Sequence, residues 1–125
     1  MTTTYRVLTV EDDPDTMELM RLVLRNLPLE MVHAQTGAEA IAYLADHVPH
    51  LMFLDLHLPD MRGWEVMDHY KSDPRLNQLS VIVVTSHSDP VHRLIGTLQP
   101  IKAFLRKPVE AESLRRTVRE ALGLL

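Results

Sequence analysis

Four carboxylates directly follow two short apolar runs of this sequence, residues 5–10 and 51–54. They are Glu11, Asp12 and Asp13 after the first run and Asp55 after the second. Like charges held close together repel, and a hard cation that prefers oxygen ligands, such as Mg²⁺, relieves that repulsion. A carboxylate can also attack phosphorus and form an aspartyl-phosphate. If the two runs end side by side, the pattern predicts a Mg²⁺-binding phospho-acceptor site with Asp55 as its nucleophile.

Two later segments supply groups that can neutralise phosphoryl charge. Thr85 and Ser86 stand at the end of the β-branched run 81–85 and offer hydroxyl groups, and Lys107 follows residues 103–106 and offers an ammonium group. A cation, a hydroxyl donor and a lysine around one carboxylate can stabilise a transferring phosphoryl group. Taken singly, each of these segments could equally be an ordinary turn, a helix cap or the end of a strand. The hypothesis of a phospho-acceptor site therefore requires that the segments meet in the fold.

The sequence between these groups predicts the elements that would bring them together. Short apolar or β-branched runs alternate five times with amphipathic segments of helical periodicity. Asp13 before Pro14 and Thr36 before Glu39 are typical helix starts, so Asp13 is expected to cap a helix rather than bind a cation. Predicted strands cover residues 5–10, 30–34, 51–54, 81–85 and 103–106, and predicted helices cover residues 14–26, 37–46, 63–72, 90–98 and 111–122.

This alternation indicates the fold class. Strands that are apolar on both faces and alternate with helices form parallel sheets covered on both sides. We expect one α/β domain over residues 1–125, with a five-stranded doubly wound parallel sheet in the flavodoxin-like order 2-1-3-4-5 and helices on both faces. Ligands of such sheets bind beyond the carboxyl ends of the strands, at the switch point between strands 1 and 3. Glu11, Asp12 and Asp55 stand at that point.

Composition narrows the class of partner. The chain has 125 residues, of which 46% are hydrophobic and 24% charged, a net charge of −4 and no cysteine. An acidic balance does not favour a nucleic-acid or membrane-surface partner, and without cysteine there is no disulfide or thiolate site. No apolar run reaches the ~18 residues of a membrane span, and the N-terminus does not resemble a signal peptide. We therefore expect a cytoplasmic protein that binds neither nucleic acid nor membrane.

Taken together, the segments resemble the response-regulator receiver domains of two-component signalling, the CheY-like superfamily. The resemblance runs from Arg6 to about Leu122, and its matching parts are the acidic residues 11–13, residues 54–63, Thr85-Ser86 and Lys107-Pro108. It implies a signalling phospho-acceptor rather than a classical enzyme, one that assists its own phosphorylation and dephosphorylation. Asp55 would accept its phosphoryl group from a sensor histidine kinase or a histidine phosphotransfer protein.

The resemblance also implies a metal site and its ligands. Asp12 and Asp55 would bind Mg²⁺ directly, with Mn²⁺ as a substitute, and Glu11 would hold the ion through water. The backbone carbonyl of His57 would be a further ligand. His57, Ser86 and His87 would lie at the rim of the site. Because imidazole is bulky and titrates near neutral pH, we expect the two histidines to shield the phosphoryl group, so that replacing both with alanine hastens dephosphorylation and flattens its pH profile.

A switch is implied as well. Thr85 would bond the phosphoryl group and Lys107 would pair with it, while Phe104 matches the family's switch aromatic, which swings inward when Thr85 moves. The face of the fourth helix, strand 5 and the final helix would then signal to a partner, although residues 99–103 depart from the Gly-Ala turn usual there. The resemblance implies a monomer or a weak homodimer. We also expect a cis Lys107–Pro108 bond, since Lys107 must turn back toward Asp55.

Two rival functions share parts of this pattern. A flavin-binding electron carrier needs a phosphate-cradling loop after strand 1, where this chain has three carboxylates that would repel a phosphate. A phosphatase of the haloacid-dehalogenase type forms an aspartyl-phosphate but carries a second carboxylate two residues after its nucleophile, where this chain has His57. We therefore favour a receiver. A stand-alone receiver is expected, and the alternative is a receiver fragment of a longer regulator with an output domain.

Overall fold

The computed structural model describes residues 3–86 and 101–124. Its strands are β1 (Tyr5–Val10), β2 (Leu29–Ala34), β3 (Leu51–Leu54), β4 (Ser80–Thr85) and β5 (Ala103–Arg106). Its helices are α1 (Pro14–Leu24), α2 (Gly37–Asp46), α3 (Gly63–Lys71), a 3-10 turn (Pro74–Leu76) and the C-terminal helix (Ala111–Leu122). The fourth predicted helix, residues 90–98, lies outside the described residues. No helix in the described part of the chain is both long and apolar enough to cross a membrane.

All five strands are parallel and lie in the order β2-β1-β3-β4-β5, which confirms the predicted sheet. Successive strand residues point to opposite faces, and in the central strands both faces are buried. One face packs against α2 and α3, and the other packs against α1 and the C-terminal helix. Helices therefore cover both faces, and the carboxyl ends of the strands remain open for a site.

Helix α1 ends at Leu24, two residues before its predicted end. The N–H of Leu27 donates to the Leu24 carbonyl over 3.0 Å, and Pro28 follows. A residue before proline disfavours helical backbone, and proline has no N–H to continue the helix. Leu27 nevertheless packs against the α1 side of the core.

The 3-10 turn was not predicted. Just after the predicted end of the third helix, the Asp73 carboxylate accepts the N–H of Arg75 at 3.0 Å, and Pro74 lies between them. An aspartate cap followed by proline starts a helical turn as well as it stops the preceding helix. Arg75 in turn donates to the carbonyl of Leu44 over 3.2 Å, which ties this turn to α2.

Candidate functional site

The carboxylates after β1 and β3 meet because these two strands are neighbours in the sheet. Val10 pairs with Leu54, and the N–H of Asp55 donates to the Val10 carbonyl over 3.1 Å. Oxygen atoms of Glu11, Asp12 and Asp55 lie within 4.8 Å of one another. Glu11 and Asp55 are buried, whereas Asp12 is exposed. Three of the four carboxylates singled out in the sequence therefore form one cluster.

Asp13, the fourth carboxylate, caps α1 as predicted. Its Oδ1 atom accepts the N–H of Asp15 at 3.2 Å, and its Oδ2 atom accepts the Thr16 hydroxyl at 2.6 Å. The hydrogen bond from Thr16, followed by the backbone bonds, lowers the pKa of Asp13. Its own N–H donates to Glu11 Oε2 over 3.1 Å, so Asp13 fixes one oxygen of the cluster through its backbone.

Lys107 reaches the cluster from the end of β5, the edge strand that lies two strands away from β3. Its N–H donates to the Thr85 carbonyl over 2.9 Å, which extends the pairing of β4 and β5 by one residue. Its Nζ atom lies 2.7 Å from Glu11 Oε1 and 2.9 Å from Asp55 Oδ2. The Lys107–Pro108 peptide bond is cis, as predicted. One ammonium group therefore bridges two buried carboxylates.

The charges in the cluster do not balance. Burial raises the pKa of Glu11 to about 7, although its hydrogen bonds to Lys107 and Asp13 act in the opposite direction. Burial would lower the pKa of Lys107, but its hydrogen bonds to Glu11 and Asp55 outweigh burial and raise it. Three carboxylates face one ammonium, and all the ligand atoms they offer are oxygens. That donor set fits a hard divalent cation such as Mg²⁺.

The proposed switch residues lie on one face of the sheet. Thr85 ends β4 and is fully buried, and Ser86 follows it and is exposed. Phe104 pairs with Val83 on the neighbouring strand, is half-buried and packs against the side of the core that α2 and α3 cover. Thr85 is two residues after Val83, so its side chain and that of Phe104 share a face.

His57 stands at the rim of the cluster. Its side chain is exposed, and its N–H donates to Asp55 Oδ1 over 3.1 Å, which orients the carboxylate. Its role at the rim of the site stays a prediction. His87, the second histidine predicted at the rim, lies outside the described residues.

Sequence reasoning missed the contact that anchors the loop after Asp55. The carboxylate of Asp60 accepts the N–H groups of Gly37 and Ala38 at 2.8 and 2.9 Å. These N–H groups open α2 and have no partner inside the helix, so a loop carboxylate caps the helix in the way that a local cap residue would. The spacing of Asp60 from α2 carries no signal of this contact in the sequence.

Asp60→Asn is expected to lower the thermal unfolding midpoint, because an amide offers one acceptor oxygen to two donors and no charge to a helix N-terminus. The Gly37 and Ala38 N–H groups hold the pKa of Asp60 below its usual value. The stabilisation is therefore full above the unfolded-state pKa of about 4 and disappears as pH falls through the lower folded-state pKa. Thermal melts should show the largest difference at neutral pH. Asp68→Asn, which removes an exposed carboxylate 3.8 Å from Lys71, is the control, and an equal effect there contradicts the prediction.

Gly63 packs against the backbone of the phospho-acceptor candidate. A Cβ atom at Gly63 would lie 2.5 Å from the Asp55 carbonyl oxygen and 3.0 Å from the Leu56 Cα atom. Backbone cannot move aside as a flexible side chain can. Gly63→Ala is therefore expected to lower the free energy of unfolding by about 1–3 kcal/mol and to weaken Mg²⁺ binding, measured by denaturant melts and cation titration. Gly37→Ala is the matched control because the three atoms nearest to the added methyl group all belong to the flexible Met61 side chain, and a larger loss there would refute the argument.

The fold and this site define a class: doubly wound α/β domains that carry an acidic cluster and a lysine beyond the carboxyl ends of a parallel sheet. A family model described as response regulator receiver domain matches residues 7–119. The chain belongs to this family of two-component signalling domains, which are not classical enzymes.

Similar proteins extend over nearly the whole chain. Protein PilH of Pseudomonas aeruginosa is 25% identical over 118 residues, which cover 94% of this chain and 98% of PilH. The polar-differentiation response regulator DivK of Brucella ovis is 29% identical over 125 residues, covering 96% of this chain and 98% of DivK. A crystal structure of a signal receiver domain from Vibrio parahaemolyticus matches with a TM-score of 0.89 and 31% identity, over 97% of this chain and 92% of that one.

Proposed function

We propose that this receiver domain accepts a phosphoryl group on Asp55 in a Mg²⁺-dependent reaction and signals the change to a partner protein. The observation that carries the proposal is the double contact of Lys107 with Glu11 and Asp55 inside a cluster of three carboxylates. A buried carboxylate beside an ammonium group and further carboxylate oxygens is suited to accept a phosphoryl group. The negative charge that develops on the phosphoryl oxygens can be neutralised by the ammonium group and by a cation that the carboxylates bind.

The metal ligands of the proposal are the three carboxylates and one backbone group. Asp12 and Asp55 would bind Mg²⁺ directly, Glu11 would hold it through water, and the His57 carbonyl would complete the protein ligands; Mn²⁺ is the expected substitute. The proximity of the carboxylate oxygens supports this set. The bound ion would supply positive charge to the phosphoryl oxygens and lessen the repulsion among the carboxylates.

The proposed donor is a phosphohistidine on a sensor histidine kinase or a histidine phosphotransfer protein. An Asp55 oxygen forms a bond to phosphorus while the nitrogen–phosphorus bond breaks, and the bonding electron pair stays on the donor imidazole. Lys107 neutralises charge on the phosphoryl oxygens. The N–H of His57 holds the carboxylate in a fixed orientation. Hydrolysis of the Asp55 phosphate, assisted by the same groups, would reset the domain. His57, Ser86 and His87, the residues predicted at the rim, would govern the access of water.

The signal would leave the site through Thr85 and Phe104. A phosphoryl group carries a charge of about −1.5 to −2, which draws the Thr85 hydroxyl toward it. Phe104 is only half-buried against the core and shares a face of the sheet with Thr85, so it can respond to room that Thr85 vacates. The populations of two packings around β5 would then shift, and the face of the fourth helix, β5 and the C-terminal helix would bind its partner differently.

The setting of this activity is part of the proposal. We place it in the cytoplasm, with the phosphodonor kinase as upstream partner and a protein as downstream target. We expect a monomer or a weak homodimer that binds neither nucleic acid nor membrane.

Acetyl phosphate with Mg²⁺ is expected to add a single phosphoryl group per chain, and EDTA is expected to prevent it. Intact-mass spectrometry over time measures the label, and a phosphate-release assay run in parallel counts turnovers. A receiver yields a labelled chain and releases phosphate slowly. Rapid, repeated release without a labelled species favours the phosphatase alternative, and labelling that EDTA leaves unchanged contradicts the proposed metal site.

A further inference from the structure

The outer edge of β2 carries backbone groups that no strand of the described sheet pairs. β2 is the last strand in the order and pairs with β1 alone. The N–H of Tyr5 donates to Pro28 and that of Glu11 to Ala34, so the even-numbered residues of β2 face β1. In a parallel ladder the alternate residues, Met31 and His33, then direct their N–H and C=O groups outward. An unpaired edge of this kind is a template for a further strand.

A groove with an apolar floor runs along the same edge, between β2 and α1. Its volume is about 380 Å³. Its apolar lining is Met17, Leu24, Leu27, Leu29 and Met31. Ala34 is the one buried residue of β2, so most of this edge strand is accessible. A strand added beside β2 would turn alternate side chains toward this floor.

The rim of the groove is cationic. Arg21 and Arg25 line it beside His33, and the lining residues that the structure describes include no carboxylate. Arg21 lies 3.7 Å from Glu18 on the exposed surface of α1, and an exposed ion pair of this kind contributes little to stability. Arg25 has no ion-pair partner in the described part of the chain. The groove therefore combines hydrogen-bonding edge, apolar floor and positive rim, and it is complementary to an extended segment with apolar and acidic side chains.

A second copy of this chain is a poorer occupant. Antiparallel pairing of two β2 edges about a two-fold axis places both α1 helices on the same face of the joint sheet. The Arg21 and Arg25 rims of the two copies would then face each other, and like charges across an interface disfavour pairing. The complementary partner is a different protein whose segment carries carboxylates.

We propose that the β2 edge binds an extended acidic–apolar segment of a partner protein as a sixth strand of the sheet. Main-chain hydrogen bonds to Met31 and His33 would hold the segment. Its groove-facing side chains would place apolar groups on the floor and carboxylates against Arg21 and Arg25. This surface lies on α1 and β2, apart from the β5 face through which the phosphorylation signal is proposed to leave.

The test uses the full chain and a short synthetic peptide that repeats leucine, threonine, glutamate and threonine, so that leucine and glutamate share one face. Titration followed by amide NMR should shift the Met31 and His33 signals, and both amides should exchange more slowly with deuterated water. The same peptide with lysine in place of glutamate, and one with N-methylated backbone amides, are expected to bind at least roughly tenfold more weakly.

Arg21→Glu combined with Arg25→Glu is expected to weaken binding of the acidic peptide by roughly tenfold or more and to improve binding of the lysine peptide. Arg116→Glu with Arg119→Glu makes the same charge change on the exposed side of the C-terminal helix and should leave binding unchanged. Equal binding of the acidic, basic and N-methylated peptides overturns the proposal. So do unshifted Met31 and His33 amides, or concentration-dependent dimerisation through β2 without peptide. Labelling of Asp55 by acetyl phosphate is a separate measurement and does not decide this outcome.

Discussion

Asp55→Asn is expected to abolish labelling by acetyl phosphate and Mg²⁺, with no phosphorylated species detectable by intact mass. The amide keeps the shape of the side chain but lacks the anionic oxygen that attacks phosphorus. Lys107 keeps its contact with Glu11 at 2.7 Å, so the fold should survive the change. This is the largest effect on function that the structure predicts, because no second carboxylate of the cluster lies at the end of β3.

The control for Asp55→Asn is Asp68→Asn, an equal change at an exposed carboxylate of α3. Its labelling should match that of the unmodified chain. Thermal melts and amide spectra establish that both variants are folded. A labelled Asp55→Asn chain would show that another residue accepts the phosphoryl group, and peptide mapping of the label would identify it.

Lys107→Ala is expected to have the largest effect on stability. Glu11 and Asp55 are only 2% and 5% exposed, and without the ammonium group both carboxylates stay buried with no other ion-pair partner among the described residues. In metal-free buffer near pH 8 the free energy of unfolding should fall by about 3 kcal/mol, the lower end of the range for breaking a buried ion pair. Lys71→Ala is the control, because it breaks an exposed ion pair in which Lys71 Nζ lies 3.8 Å from Asp68 Oδ1. It should change the free energy of unfolding by less than about 1 kcal/mol.

The loss in Lys107→Ala should depend on pH and on Mg²⁺. Burial raises the folded-state pKa of Glu11 to about 7, above its unfolded value of 4.5, so the folded chain favours the protonated carboxyl between these values. Raising the pH through this window costs stability, and removing Lys107 extends the cost to higher pH. Acidification should therefore reduce the difference between the variant and the unmodified chain. Saturating Mg²⁺ should also reduce the difference in unfolding free energy. Chemical unfolding at several pH values, in EDTA and in Mg²⁺, measures the two dependences. A deficit independent of pH and Mg²⁺ contradicts the bridging role of Lys107.

Most secondary structure could be predicted because its signals are local. β1, β3, β5 and the C-terminal helix have the predicted bounds, and β2 and β4 each begin one residue earlier. β1 and β3 are followed at once by a carboxylate, Glu11 or Asp55, and β5 by Lys107–Pro108, so a change in residue type marks where each strand stops. The end of α1 was predicted less well, since its apolar pattern continues to Leu27 although Pro28 stops the helix.

Part of the site was predictable for the same reason. Once the sheet order was assumed, the residues after β1 and β3 had to meet, because parallel neighbours end at the same edge. The order itself came from the fold class that the alternation of strands and helices indicates, and the structure confirms it. The proximity of Glu11 and Asp55 thus followed from the strand ends together with the predicted sheet order.

The sequence by itself determined which residue types stand at the strand ends, and so the chemistry that the site can perform. Only the tertiary structure decided the individual contacts: that Lys107 bridges two carboxylates, one of them 52 residues away, and that Asp60 caps a helix 23 residues before it. It also decided that Gly63 must lack a side chain and that the edge of β2 borders a cationic groove. Strand ends follow from local patterns, whereas hydrogen-bond partners and close packing depend on ångström-scale distances between segments that no local pattern encodes.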